Sequence, residues 1–160
     1  MSSGKSFHTA CQEDVYRQVQ SILGELVDEF YDDAEHCDFY LKYGTTIVEI
    51  SIDPYEDENA VVEVLAFCAQ GVQPAPELMR ELLQINAEVP MGAFSLVGAD
   101  VFFSHSFVTR QLEPPQLLAS LNVVASTSDT YDEQIIERFG GETALDRLRD
   151  WSRRTIRAEA

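Results

Sequence analysis

The residues of this chain best suited to chemistry are its cysteines, histidines and a few carboxylates, and their spacing decides what they could do. His8, Cys11, His36, Cys37 and Cys68 are donors of the kind that hold zinc. His8 and Cys11 sit at one end of a predicted helix and His36-Cys37 lie beyond the other, about 20 residues on, so roughly 30 Å away at the helical rise. A continuous helix keeps them from sharing one ion, and no metal site is expected. Thiol catalysis needs a low-pKa cysteine beside a base. His36 and Cys37 are adjacent on an extended stretch, where neighbours point to opposite faces. Asp53, Glu56, Asp57 and Glu58 lack the glycine and the spacing of a calcium loop and read as a solvated turn. Glu49 and Glu63 are the two acids embedded in strands. A small acidic enzyme using paired carboxylates, the alternative to a binding module, would need them to converge in an apolar pocket with separated pKa values. His105 falls in register with Val101, Phe103 and Phe107 and reads as a strand residue with a satisfied ring nitrogen. No cofactor is expected.

The totals bound the rest. The chain has 160 residues, 45% of them apolar, and no apolar run of the ~20 residues that a membrane span requires. The first ten residues carry one lysine and no apolar stretch, which is unlike a secretory signal, so the cytosol is the expected compartment. An odd number of widely spaced cysteines points to reduced thiols. A formal net charge of −17 argues against nucleic acid and against anionic membrane as partners. Residues 1–137 hold 24 acids against 5 bases, whereas 138–160 hold 4 acids against 6 arginines.

These residues are positioned by elements of clear period. Thr9 and Gln12 have capping-box spacing, and Val15, Tyr16, Val19, Ile22, Leu23, Leu26, Val27 and Phe30 make one apolar face of a helix expected to end near Tyr31. A hairpin follows, with Phe39, Leu41 and Tyr43 before Gly44 and Val48, Ile50 and Ile52 after it. Residues 60–70, AVVEVLAFCAQ, are nearly continuously apolar, which predicts a central strand covered on both faces. Pro76 opens a second helix to about Glu88, with Asn86 on its apolar side, where the amide must find backbone partners near the Pro90–Gly92 turn and end the helix. Two strands, Ala93–Val97 and Val101–Val108, lead to a third helix opened by Pro114-Pro115 and closed by Gly140-Gly141. Its seam of Leu117, Leu121, Val124, Ser128, Tyr131 and Ile135 is expected to lie on the sheet. Leu145, Leu148, Trp151 and Ile156 define a last helix bearing Arg149, Arg153 and Arg157. The acidic pairs Glu25/Glu29 and Asp28/Asp32 would repel at the end of the first helix, so the arginine-bearing helix is expected to dock on acidic surface of its own or a neighbouring subunit.

The fold class is therefore α+β, a five-stranded antiparallel sheet in the order α-β-β-β-α-β-β-α plus a C-terminal helix, with residues 1–141 as the domain and 142–160 as the arginine-rich helix.

Tyr43-Gly44 before an alternating strand, the run from Glu77 to Glu88, Met91-Gly92-Ala93-Phe94 and the Gly-Gly-ended helix together resemble the YbjN-domain family, in its cyanobacterial-type form, over most of residues 9–141. The resemblance implies a fold similar to type III secretion chaperones, often dimeric and without enzymatic activity. It also implies a peptide-binding, chaperone-like role with a regulatory bearing on stress or sensory signalling. A protein or peptide client and a homodimer are thus the expected partners. The aromatic strand residues Val101, Phe103, His105 and Phe107 are the expected contact surface.

Overall fold

Alternating strands and amphipathic helices assemble here into one sheet with its three long helices on a single side. The computed structural model describes residues 7–150. Its elements are α1 (Ala10–Leu26), β1 (Tyr31–Asp33), β2 (Asp38–Tyr43), β3 (Thr46–Tyr55), β4 (Asn59–Gln70), α2 (Pro76–Glu88), β5 (Ala93–Val97), β6 (Asp100–Thr109) and α3 (Pro114–Phe139). Residues 144–150 are again helical. The sheet is antiparallel, in the order β1-β2-β3-β4-β6-β5. After β4 the chain passes through α2 to the edge strand β5 and returns inward as β6.

The expected α+β order is present with six strands in place of five, because α1 stops five residues early. Continued to Tyr31, the helix would stack Glu25 on Glu29 and Asp28 on Asp32 at its negative end. Instead Val27 turns extended, its N–H still bonded to the Leu23 carbonyl at 3.0 Å, and the chain enters β1. There Asp32 points inward and accepts hydrogen bonds from the Tyr16 hydroxyl and from Gln20 Nε2. The acidic repulsion is thus removed by ending the helix and needs no basic helix to offset it.

The start of α1 is held as its spacing predicts. Thr9 Oγ1 accepts the Gln12 N–H at 3.1 Å, while Gln12 Oε1 accepts the His8 N–H at 2.9 Å. Gln12 Nε2 also reaches the Ile52 carbonyl, which pins the helix to the end of β3. Val15, Tyr16, Val19 and Leu23 are fully buried, and Tyr16 stacks on Phe39 with ring centroids 4.6 Å apart. At roughly 1.5 to 3 kcal/mol per large apolar side chain, this stripe is a main source of the adhesion between α1 and the sheet.

The predicted seam of α3 lies on β3, β4 and β6, with Tyr131 at its margin against Phe94. Its polar members are satisfied. Thr45 Oγ1 donates to the buried Asp132 at 2.9 Å, and Ser128 Oγ lies 3.4 Å from Thr46 Oγ1, which itself donates to the Phe67 carbonyl. Burial pushes the Asp132 carboxyl above its ordinary range, and the Thr45 bond pulls it back. Asn86 makes a two-point clamp, accepting the Phe94 N–H at 2.6 Å and donating to the Phe94 carbonyl at 3.1 Å. It therefore fixes β5 to α2 two residues past the expected turn. Gly92 has φ +81°, and a Cβ there would lie 2.7 Å from the Phe103 ring, so this position requires glycine.

One expectation fails in an informative way. β4 is covered on one face only: Ala60, Val62, Val64, Ala66 and Cys68 are buried against the helices, while Val61, Glu63, Leu65 and Phe67 are only half-buried on the other side.

Candidate functional site

The site follows from the uncovered face, where strand pairing aligns side chains into rows. One row runs Tyr31, Tyr40, Glu49, Leu65, Ser104 from β1 across to β6. The next holds Asp33, Asp38, Ser51, Glu63 and Ser106. On the opposite flank Lys42 pairs with Ile47, and Phe67 pairs with Phe102. Adjacent rows along a strand are roughly 7 Å apart, since two residues separate them. Phe67 and Phe102 meet edge-on at 5.3 Å and Tyr31 and Tyr40 at 6.3 Å, so the face carries an aromatic half beside an acidic half.

A groove of about 1000 Å³ occupies the aromatic half. Its lining combines Tyr31, Tyr40, Ile47 and Phe67 of the sheet, residues 28–30, and Arg147 and Leu148 of the terminal helix. That helix is held by the sheet itself. Gln70 and Glu142 exchange both backbone hydrogen bonds at 2.9 Å, at a point of β4 where β3 has already ended. Gly141 makes the approach possible, for at φ +93° its Cβ would lie 2.6 Å from the Gln70 carbonyl. Arg147 then bridges Glu142 (3.1 Å) and Asp100 (3.5 Å). An arginine of the last helix thus docks on acidic surface of the same chain, while Trp151, Arg153, Ile156 and Arg157 lie outside the described residues.

In the acidic half, partial burial pushes the Asp38 carboxyl up to about 6, reinforced by Glu49, Asp33 and Asp53 and opposed by His36. Glu49 is likewise raised, by burial and by Glu63, while the hydroxyl of Tyr40 bonds it and lowers it. The Tyr40 phenol is pushed up by burial and by Glu49 and Asp38. His36 pairs with Asp33 at 3.0 Å, which raises the imidazole and holds the carboxyl down. Glu49 and Glu63 are diagonal neighbours, yet neither lines the groove.

The residues singled out from the sequence are distributed differently. Val101 and Phe103 are wholly buried, which removes them from any contact surface. β5 covers β6 only as far as Ser104, so Val101 and Phe103 lie inside the sheet while residues 105–109 have β4 on one side and, among the described residues, no strand on the other. The His105 ring is hydrogen-bonded to Ser120, and Phe107 lies half-buried beside it. The outward residues of this strand are Phe102, Ser104, Ser106 and Val108, the opposite phase of the same alternation. Cys11 contacts the Arg110 carbonyl, Cys37 is buried on the β1–β2 turn at φ +63°, and Cys68 contacts the Ser128 carbonyl, with burial pushing its thiol up to about 12. Among the described residues no group of three His, Cys, Asp or Glu could hold a metal ion. Glu56, Asp57 and Glu58 form the tip of the β3–β4 hairpin, where Glu58 pairs with Arg110. The groove residues Tyr31, Tyr40, Ile47, Phe67 and Leu148 were not among the expected contacts. The signal for Phe67 and Ile47 was the outward phase of β4, with Val61, Leu65 and Phe67, beside Ile47 of β3, which no core requirement explains, whereas Tyr31, Tyr40 and Leu148 carried none.

A family model described as T3SS (YopN, CesT) and YbjN peptide-binding chaperone 1 matches residues 12–147. No curated protein matches the chain. Among solved structures, a chain of the ExsC–ExsE complex is similar at 16% identity and TM-score 0.59, covering 78% of this chain and 95% of that one. A chain of the HopA1–SchA chaperone–effector complex is similar at 11% identity and TM-score 0.56, with 76% and 96% covered. YbjN from E. coli is similar at 12% identity and TM-score 0.53, with 74% and 92% covered. At these identities the likeness is one of fold.

Proposed function

Because the chain belongs to TY-Chap1, the family of type III secretion (YopN, CesT) and YbjN peptide-binding chaperones, we propose that it is a non-enzymatic chaperone-like module holding an extended segment of a protein client on the open face of its sheet. The observation that carries this reading is the groove and its apolar floor, a concave patch that the helix at residues 144–150 walls but none of the described helices covers. Tyrosine and phenylalanine supply contact area at small entropic cost and are favoured at such surfaces. The similar chains in chaperone–effector complexes support a protein client as the occupant. Delivery of effectors is a property of those systems and does not follow from the fold. A regulatory bearing on stress or sensory signalling would act through the client.

A second surface suits a second copy of the chain. Leu83 on α2 is 69% exposed and Val97 on the neighbouring edge strand β5 is 65% exposed, with Met79 one helical turn from Leu83. We place homodimerisation there and the protein in the cytosol, in keeping with its free thiols.

Panning a phage-displayed random peptide library on the full chain tests the client reading. Enriched peptides should slow amide exchange in β2, β3 and β4 and lose at least tenfold in affinity with Tyr31→Asp, whose ring is 66% exposed and whose replacement spares the core. An absence of enriched peptides, or peptides that leave exchange in those strands unchanged, would overturn it.

A further inference from the structure

The two halves of the open face differ in charge as well as shape, and this difference specifies the occupant. Asp33, Asp38, Glu49 and Glu63 occupy two adjacent rows at one end. The aromatic groove begins in the same row as Glu49, since Tyr40 both lines the groove and bonds the Glu49 carboxylate. The hydrophobic and anionic contacts therefore lie within one row spacing, roughly 7 Å, which is the distance between residues i and i+2 of an extended peptide. Among the described residues the basic side chain beside these carboxylates is His36, which pairs with Asp33 and leaves Glu49 and Glu63 without a cation, while Lys42 and Arg147 lie at the groove end together with Asp28 and Glu29. Asp38 and Glu49 are half-buried before anything binds, so a cation placed over them finds carboxylates already partly stripped of water.

Resting on the client reading above, we infer that the face selects an extended segment in which an aromatic or large aliphatic residue is followed two positions later, on the same side of the strand, by lysine or arginine. The apolar side chains enter the groove at Tyr31, Tyr40, Ile47 and Phe67, and the cations lie over Asp38, Glu49 and Glu63. Charge complementarity decides the class of client, and the groove supplies the adhesion. An acidic or neutral segment of the same apolar pattern leaves the carboxylate rows uncompensated under the bound chain.

Three fluorescein-labelled peptides of equal length, in which each Tyr is followed two positions later by Lys, Gln or Glu with Ser at the intervening positions, test this by anisotropy against the full chain. The Tyr-Lys peptide should bind at least tenfold more tightly than the Tyr-Gln peptide, and the Tyr-Glu peptide should bind weakest. Because a strongly acidic protein attracts any cation, the control is a pair of double variants of equal charge. Glu49→Gln with Glu63→Gln should abolish most of the Lys-over-Gln preference, whereas Asp14→Asn with Glu25→Gln, on the exposed side of α1, should leave it unchanged. Equal binding of the Lys and Gln peptides, or equal effects of the two double variants, would overturn the charge inference while leaving the open face as the client site. If none of the peptides protects β2, β3 and β4 from amide exchange, the client reading falls with it. Protection of those strands by the free chain at rising concentration would assign the face to a second copy instead.

Discussion

The two faces of the sheet are written in the same strands, one residue apart, yet they follow different rules. On the helix side Phe39, Val48, Ile50, Val62, Val64, Ala66 and Phe103 have no exposure at all. On the open side Tyr40, Ile47, Leu65, Phe67 and Phe102 are as apolar but only half-buried. The first set is fixed by packing density, where loss of a few methylenes leaves a cavity. The second contributes less to folding and leaves its surface available for a partner. The comparison teaches that the near-continuous hydrophobicity of β4 has two parts, a buried phase set by packing and an outward phase that packing does not require and that the proposed client reading would use.

The pair Phe103 and Phe102 tests the distinction most directly. Phe103→Ala should cost about 3–5 kcal/mol in urea denaturation, in the range for buried aromatic truncations. Phe102→Ala should cost only about 1 kcal/mol, consistent with its partial burial, while reducing peptide affinity at least tenfold. Equal destabilisation by both would mean that the open face is core and would break the comparison. A smaller effect sharpens it from the covered side. Asn86→Ala should destabilise by about 1–3 kcal/mol, because both backbone groups of Phe94 lose their partner, and amide exchange at Phe94 should accelerate first.

The smallest effect belongs to the acidic rows. Asp38 titrates at about 6 in the folded chain against 3.8 when unfolded, so between those values the folded state keeps a proton that the unfolded state has released. Stability should therefore rise as pH falls through about 6 and level off below about 4. Glu49 and His36, both raised, act in the same direction, whereas the depressed Asp33 loses its contribution only at lower pH. Comparing urea midpoints at about pH 7 and about pH 5 should show the rise, reduced in Asp38→Asn. A midpoint that falls over this interval in the wild-type chain would contradict the assignment.

Much of this architecture was legible in the residues, and what was not has identifiable causes. Helix starts at Thr9, Pro76 and Pro114 and the stop at Gly140 are local signals and stand where their chemistry puts them. The end of α1 was obscured because Val27 and Phe30 continue its apolar phase while the charges oppose it. β1 is three residues long, too short to display a period. The candidate site depends on pairing between strands. Nothing local in β6 says which phase of its alternation faces the helices, so Val101 and Phe103 read as outward although Phe102 and Ser104 hold that phase. Nor does any spacing along the chain announce that Tyr31, Tyr40 and Glu49 share a row, since the register that aligns them is set by two successive hairpins.

The pairing of Gln70 with Glu142 joins positions about seventy residues apart in the chain, and this orders events during synthesis. All six strands leave the ribosome before the segment that walls the groove. A nascent chain can thus complete its sheet while Tyr40, Ile47 and Phe67 still lie on an open platform, and the pocket acquires its second side only when Arg147 and Leu148 arrive. The groove is therefore completed only after the sheet that floors it, so its second side is added to a scaffold already formed.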